Sequence, residues 1–267
     1  MITSDFQVQA GKQLNLLRPR CLMELATPSN SASRPSLTLV DSAGSRQSVL
    51  AALEKAVLIN QDFFLIGPSH IDVFVANNPA EWKRQAGAYA HLTFAWGVVL
   101  DDGKIVVKSP EYAGITDAQH ESVLCHEINH SYWITHFGKL GVGWSPHWVV
   151  EGVANYVSPA RSLLSPQSAA AFALLNGDTA TALEYDYVDV EGAQQMILKY
   201  SLWRAVVADV IDHYGKDALL GCIRSFAVAP SRGRFDEAFL ATFGVSLEPY
   251  FHDFLLRTVA TIHRAQP

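Results

Sequence analysis

Apolar positions along the chain recur with two different periods, and the character changes near Pro110. From Ser48 onward Val49, Leu50, Leu53, Ala56 and Val57 recur at helical spacing, which predicts a helix of about four turns. Ile71-Asp-Val-Phe-Val75 alternates behind Gly67-Pro68 and predicts a strand, and Pro79 to Arg84 a short helix. Two further strands are expected over 94–100 and 105–108, joined by Asp101-Asp102-Gly103-Lys104. Asp-Gly between β-branched runs is a strong hairpin signal, and both aspartates read as ordinary turn residues. Beyond Pro110 the pattern is helical almost throughout, with elements expected at 117–137, 146–157, 166–175, 192–214, 216–227, 235–243 and 246–263. Gly138, Gly215 and Gly244 fall where helix C-caps belong.

Residues 1–46, rich in Ser, Pro and Arg, read as an N-terminal arm or irregular lead-in, with Leu37 to Val40 as its one strand candidate. Residues 47–267 read as a single domain: an α/β part over 47–115, then a helical part over 116–267. The expected fold class is α+β, a small mixed sheet whose edge strand precedes the active-site helix, followed by a mainly helical C-terminal subdomain. No internal repeat interrupts that plan.

Composition narrows the function. The chain has 267 residues, 49% of them hydrophobic, enough for a sizeable core and too many for a disordered chain. Lys+Arg is 20 against Asp+Glu 26, so the basic surplus of a general nucleic-acid binder is missing. The longest apolar stretch, Leu92 to Leu100, falls well short of the roughly 20 residues of a membrane span. Three scattered cysteines, Cys21, Cys125 and Cys222, make no disulfide framework. With no basic-then-apolar leader at the start, the expected location is cytoplasmic.

One segment stands out, Cys125-His126-Glu127-Ile128-Asn129-His130, which reads H-E-x-x-H. Thr116 and Gln119 form a capping-box start, and neither Pro nor Gly intervenes before Gly138, so the motif lies well inside a helix. His126 and His130 stack one turn apart on a single face, where both can reach one Zn²⁺ at about 2.0–2.1 Å. Glu127 is rotated about 100° from His126, off the ligand axis, where a general base for metal-activated water belongs.

A catalytic zinc takes a third protein ligand. His136 mimics the metzincin spacing, but position 133 is Trp rather than the helix-breaking Gly that arrangement needs. A continued helix carries His136 about 240° around from His130, away from the site. The better candidate is Glu151, in Ser145-Pro-His-Trp-Val-Val-Glu-Gly152. Ser145 is a credible N-cap and Pro146 suits the first helical position. With Gly138, Gly141 and Gly143 making a turn, an antiparallel helix pair brings Glu151 to the histidines. Gly152 would let another helix pack close, and Asn155, one turn on, is placed to orient a ligand histidine.

H-E-x-x-H, then about twenty residues, then P-x-W-x-x-E-G-x-A-x-Y resembles the gluzincin zinc peptidases, especially the peptidase MA-like families. The matching positions are His126, Glu127 and His130, then Pro146, Trp148, Glu151, Gly152, Ala154 and Tyr156. The likeness spans residues 88 to 255 and is specific over 123–157. Asn155 stands where thermolysin-like gluzincins carry Asp. The resemblance implies one zinc per chain and hydrolysis of a peptide or protein substrate held along a sheet edge, with neither nucleic acid nor membrane as partner. It also implies a Tyr or His donor to the oxyanion. Tyr200, just ahead of the Leu202, Val206, Val207 and Val210 stripe, is the candidate; Tyr185 and Tyr187 are the alternatives, and a packed core tyrosine is the plain one.

Other residues read as structural. His91, His120 and His147 suit surface or capping roles, and Cys125 a small buried side chain. Trp96, Trp133, Trp144 and Trp148 are mostly core, with Trp148 on the Glu151 face as a candidate pocket wall. Two other functions use the same residues: a zinc hydrolase of a small non-peptide amide or ester, and a non-catalytic peptide-binding module.

Overall fold

The structure, a computed structural model, describes residues 35–41, 46–92, 95–158, 163–175, 193–227 and 234–264. The chain divides into two units, Met1–Ala32 and Ser33–Pro267, and every described residue belongs to the second. The expected arm thus lies mostly outside the described residues, as do Tyr185 and Tyr187.

Four strands, β1 (Ser36–Asp41), β2 (His70–Ala76), β3 (Gly97–Val99) and β4 (Ile105–Lys108), form one mixed sheet in the order β1-β2-β4-β3. β1 pairs parallel with β2 from Ser36↔His70 to Asp41↔Val75, so the sheet begins ahead of residue 47. β2 and β4 are also parallel, while β3 pairs antiparallel with β4 through Gly97↔Val107 and Val99↔Ile105. That last pair is the expected Asp-Gly hairpin, closed by Gly103 N–H donating to the Leu100 carbonyl at 2.8 Å. β3 is shorter than the predicted 94–100, and residues 93–94 lie outside the described ones.

Strand alternation sorts the sheet's side chains into two cores. Ile71, Val73 and Val75 of β2, with Ile105 and Val107 of β4, join the main core under α1 (Arg46–Phe64) and α4 (Asp117–Trp144). Phe74, Ala76 and Val106 face the other way, onto Trp82 and Ala86 of α2 (Pro79–Ala86). α1 has 19 residues, longer than expected, and buries Val49, Leu53, Ala56, Val57 and Phe64 along one stripe. A 3₁₀ turn (Gly87–His91) follows α2, and α3 (Pro110–Ala113) follows β4.

The remaining helices are α5 (His147–Val157), α6 (Pro166–Leu175), α7 (Ala193–Tyr214), α8 (Lys216–Ala227), α9 (Arg234–Phe243) and α10 (Leu247–Arg264). Each agrees with its predicted span to within a residue or two. Gly215 (φ 87) and Gly244 (φ 74) end α7 and α9 in the left-handed conformation, as C-caps should. α5 is central, and every residue from Trp148 to Asn155 is buried. A Cβ on Gly152 would stand 2.8 Å from the Trp203 carbonyl of α7, so the close approach of those helices does depend on glycine.

Two expectations near the site are corrected. The helix expected to stop at 137 does end at Gly138 (φ 69, ψ 167), but a second helical stretch follows it to Trp144, so Gly141 and Gly143 lie in helix rather than in a turn. Pro146, not Ser145, is the N-cap of α5. A proline has no side-chain acceptor, but its fixed φ still sets the entry angle of the helix.

Candidate metal centre

Helix α4 starts on the capping box its sequence predicts. Thr116 N–H donates to Gln119 Oε1 at 2.9 Å, and Gln119 N–H donates back to Thr116 Oγ1 at 3.3 Å. Ten residues on, the motif is deeply set: His126 is 3% exposed and Glu127 6%, with Cys125, Ile128 and Asn129 fully enclosed. A flanking face of the same helix is locked to α1. Asn129 Nδ2 donates to Asn60 Oδ1 at 2.8 Å, and Asn60 Nδ2 donates to the Ala56 and Cys125 carbonyls at 2.9 and 3.1 Å. A buried amide pair tolerates little slippage, so α1 fixes the rotation of the motif helix.

On the other face the two helices bring three ligand atoms together. His126 Nε2 lies 3.1 Å from His130 Nε2 and 3.1 Å from Glu151 Oε2, and His130 Nε2 lies 3.6 Å from Glu151 Oε1. The two imidazole planes meet at 86°. Ligands at about 2.0–2.1 Å from a tetrahedral zinc stand about 3.3–3.4 Å apart, and the observed spacings bracket that edge. His126, His130 and Glu151 form the one group of three or more such side chains, among the described residues, that could hold a metal ion.

Electrostatics favour the ionised form of Glu151. Burial by itself would raise its carboxyl, but His130, then His126, which also hydrogen-bonds to it, and His147 outweigh that and hold it well below the usual carboxylate range. Glu127 stands outside the trio, its side chain against Gly97 at the start of β3. Tyr200 of α7 is half-buried with its ring 5.8 Å from that of His126, so the structure brings it to the site.

The rejected and secondary candidates also have places. His136 points away, stacked on Phe64 and hydrogen-bonded to the Ile66 carbonyl. Asn155 Nδ2 donates to the Glu151 carbonyl at 2.7 Å, within its own helix. Trp148 is fully buried against Phe235 and belongs to the core rather than to a pocket wall. Burial pushes the Cys125 thiol up to about 12, which suits an inert side chain. His91 caps the 3₁₀ turn through the Ala88 carbonyl. His120 is only 3% exposed, not at the surface, and burial lowers its pKa.

Sequence reasoning missed three neighbours of the centre. Gly97 carried a signal, since glycine inside a strand marks a close approach. His147 and Glu151 are four apart on one helix, a spacing that puts them on the same face. Asn60 carried none, because its partner lies 69 positions away.

No protein-family model matches the chain, and no curated protein matches it. No helix among the described residues is long and apolar enough to cross a membrane.

Proposed function

We propose that the protein is a zinc-dependent peptidase of gluzincin type, with His126, His130 and Glu151 as metal ligands. The observation that carries this reading is the convergence of two imidazole nitrogens and a carboxylate on one point at zinc-ligand spacing. Zinc bound there would supply Lewis acidity, lowering the pKa of water and polarising a carbonyl. Glu127, buried beside the ligands but not among them, accepts the proton of the attacking water on its carboxylate and returns it to the leaving amine. Tyr200, beside His126, donates its hydroxyl to the developing oxyanion. β3 ends the sheet next to Glu127, and an extended peptide laid along it would bring its backbone to the base. Cys125 and Cys222, both buried as free thiols, suit a reducing, cytoplasmic setting.

Three assays test the reading: metal content, cleavage of fluorescently labelled casein, and cleavage of small acyl anilides and esters. The expected result is about one zinc per chain, casein cleavage abolished by chelation and restored by zinc, and a Glu127→Gln variant that keeps its metal while turnover falls about 10²–10⁴-fold. Full turnover in Glu127→Gln would overturn the mechanism. Cleavage of the small substrates alone would make the protein a hydrolase of another class, and zinc binding with no hydrolysis would make it a binding module.

A further inference from the structure

Gly97 opens β3, and nothing in its own backbone demands glycine there. It is not among the glycines with positive φ, and it pairs regularly with Val107 of β4. Glycine also weakens a strand, because it loses more chain entropy on folding and has no side chain to pack. What the position lacks is room. A Cβ built on Gly97 would stand 2.6 Å from Glu127 Cγ, 2.9 Å from its Cδ and 2.8 Å from its Oε1, far inside carbon contact distance.

From this contact we infer that Gly97 is a positioning residue, whose missing side chain fixes where the Glu127 carboxylate stands. A methyl group at residue 97 has to displace something. The strand is held by its ladder to β4 and by Lys108 N–H donating to the Trp96 carbonyl at 2.8 Å. The backbone of α4 is held by the Asn129–Asn60 lock. The atoms a methyl would meet first all belong to the Glu127 side chain, and that side chain is what yields. A methyl at residue 97 therefore moves the carboxylate first, since the three atoms nearest that Cβ all belong to Glu127 and none to a zinc ligand.

The catalytic consequence rests on the proposed role of Glu127, so the test separates the contact from the chemistry. The contact is read by folding stability in urea for the wild type, Gly97→Ala, Glu127→Ala and the double variant. Gly97→Ala is expected to lower the folding constant about tenfold in the wild-type background and less than about twofold where Glu127 is already Ala. Equal effects in both backgrounds would overturn the inference. The chemistry is read on labelled casein: Gly97→Ala should lower kcat at least about tenfold with KM and zinc content unchanged, and should not slow Glu127→Gln further. Wild-type kcat in Gly97→Ala would overturn it too. A wild-type protein that cleaves nothing would remove the proposed function and the catalytic half of the inference together, with the stability cycle still deciding the contact.

Discussion

Helix α7 touches two polar clusters, one near each end, and they are built on opposite plans. Near its C-terminal end the Asp209 carboxylate meets Arg257 Nη1 and Nη2 at 3.1 and 3.0 Å, the Tyr250 hydroxyl at 2.5 Å and His213 Nδ1 at 3.5 Å. Arg257 Nε donates in turn to Asp253 at 2.6 Å. Positive meets negative, donors meet acceptors, and α7 is tied to α10. Near the other end Tyr200 faces His126, and there three groups able to present lone pairs are turned toward one another, at 3.1 to 3.6 Å. The Asp209 cluster pairs a carboxylate with a guanidinium and a phenol. The second cluster instead sets two imidazole nitrogens and a carboxylate at the mutual spacing of ligands around one metal ion, and that spacing is the ground for reading one cluster as a tie and proposing the other as a centre.

The contrast breaks most readily on metal content. Glu151→Ala should reduce bound zinc from about one per chain to nearly none, because two histidines seldom retain a catalytic zinc. Asp209→Ala should leave zinc and turnover unchanged while lowering folding stability by about 1–3 kcal/mol, since it strands the Tyr250 hydroxyl and a guanidinium. Metal analysis and urea titration of both variants decide it. Zinc lost with Asp209 and kept without Glu151 would reverse the two assignments.

The next effect sharpens the comparison inside α7 itself. Tyr200→Phe should lower kcat about 10²–10³-fold on casein with little change in KM, the pattern for a donor used only in the transition state. Unfolding midpoints should barely move, because the ring that packs on His126 and Trp203 is kept. An unchanged kcat would return Tyr200 to the core and put Tyr185 and Tyr187 forward.

The two clusters differed as much in how far the sequence showed them. His126, His130 and Glu127 were legible because helical spacing turns a five-residue word into geometry, and the Thr116–Gln119 cap marked where that helix starts. Glu151 was legible through Pro146 and Gly152, although Pro146 caps its helix itself and a second helical stretch, rather than a turn, follows Gly138. The helices of the C-terminal half were legible for the same local reason, amphipathic stripes closed by Gly215 and Gly244. Asp209, Tyr250 and Arg257 were not, since each is an ordinary polar residue on its own helix and the cluster exists only once α7 meets α10. The same holds for Asn60 against Asn129 and for Gly97 against Glu127. Strand order was also out of reach: local alternation gives a strand its faces, but β4 inserts between β2 and β3 by tertiary pairing.

The smallest expected effect lies in the tie between α7 and α10 and is read through pH. Burial, then the hydrogen bond to Asp209 and its charge, hold the Tyr250 phenol above its ordinary value; Arg257 opposes them more weakly. The folded state therefore keeps that proton after the unfolded chain, at about pH 10, has begun to lose it. With fewer protons bound in the unfolded state, stability falls as pH rises, by up to about 1.4 kcal/mol per pH unit from this one group. Below pH 10 the contribution is fully present. Tyr250→Phe should thus cost about 1.5–3 kcal/mol at neutral pH, the worth of a hydrogen bond to a charged acceptor. It should also flatten the alkaline decline, while zinc content and turnover stay at wild-type levels. Urea midpoints of the two proteins from pH 7 to pH 11 check this, and the expected curves converge above pH 10. Other buried phenols, such as Tyr132, pushed up to about 12, lower both curves alike and cancel in the difference. Curves that run parallel over the whole range would show that the Tyr250 hydroxyl does not depend on Asp209, and the tie would then rest on Arg257 alone.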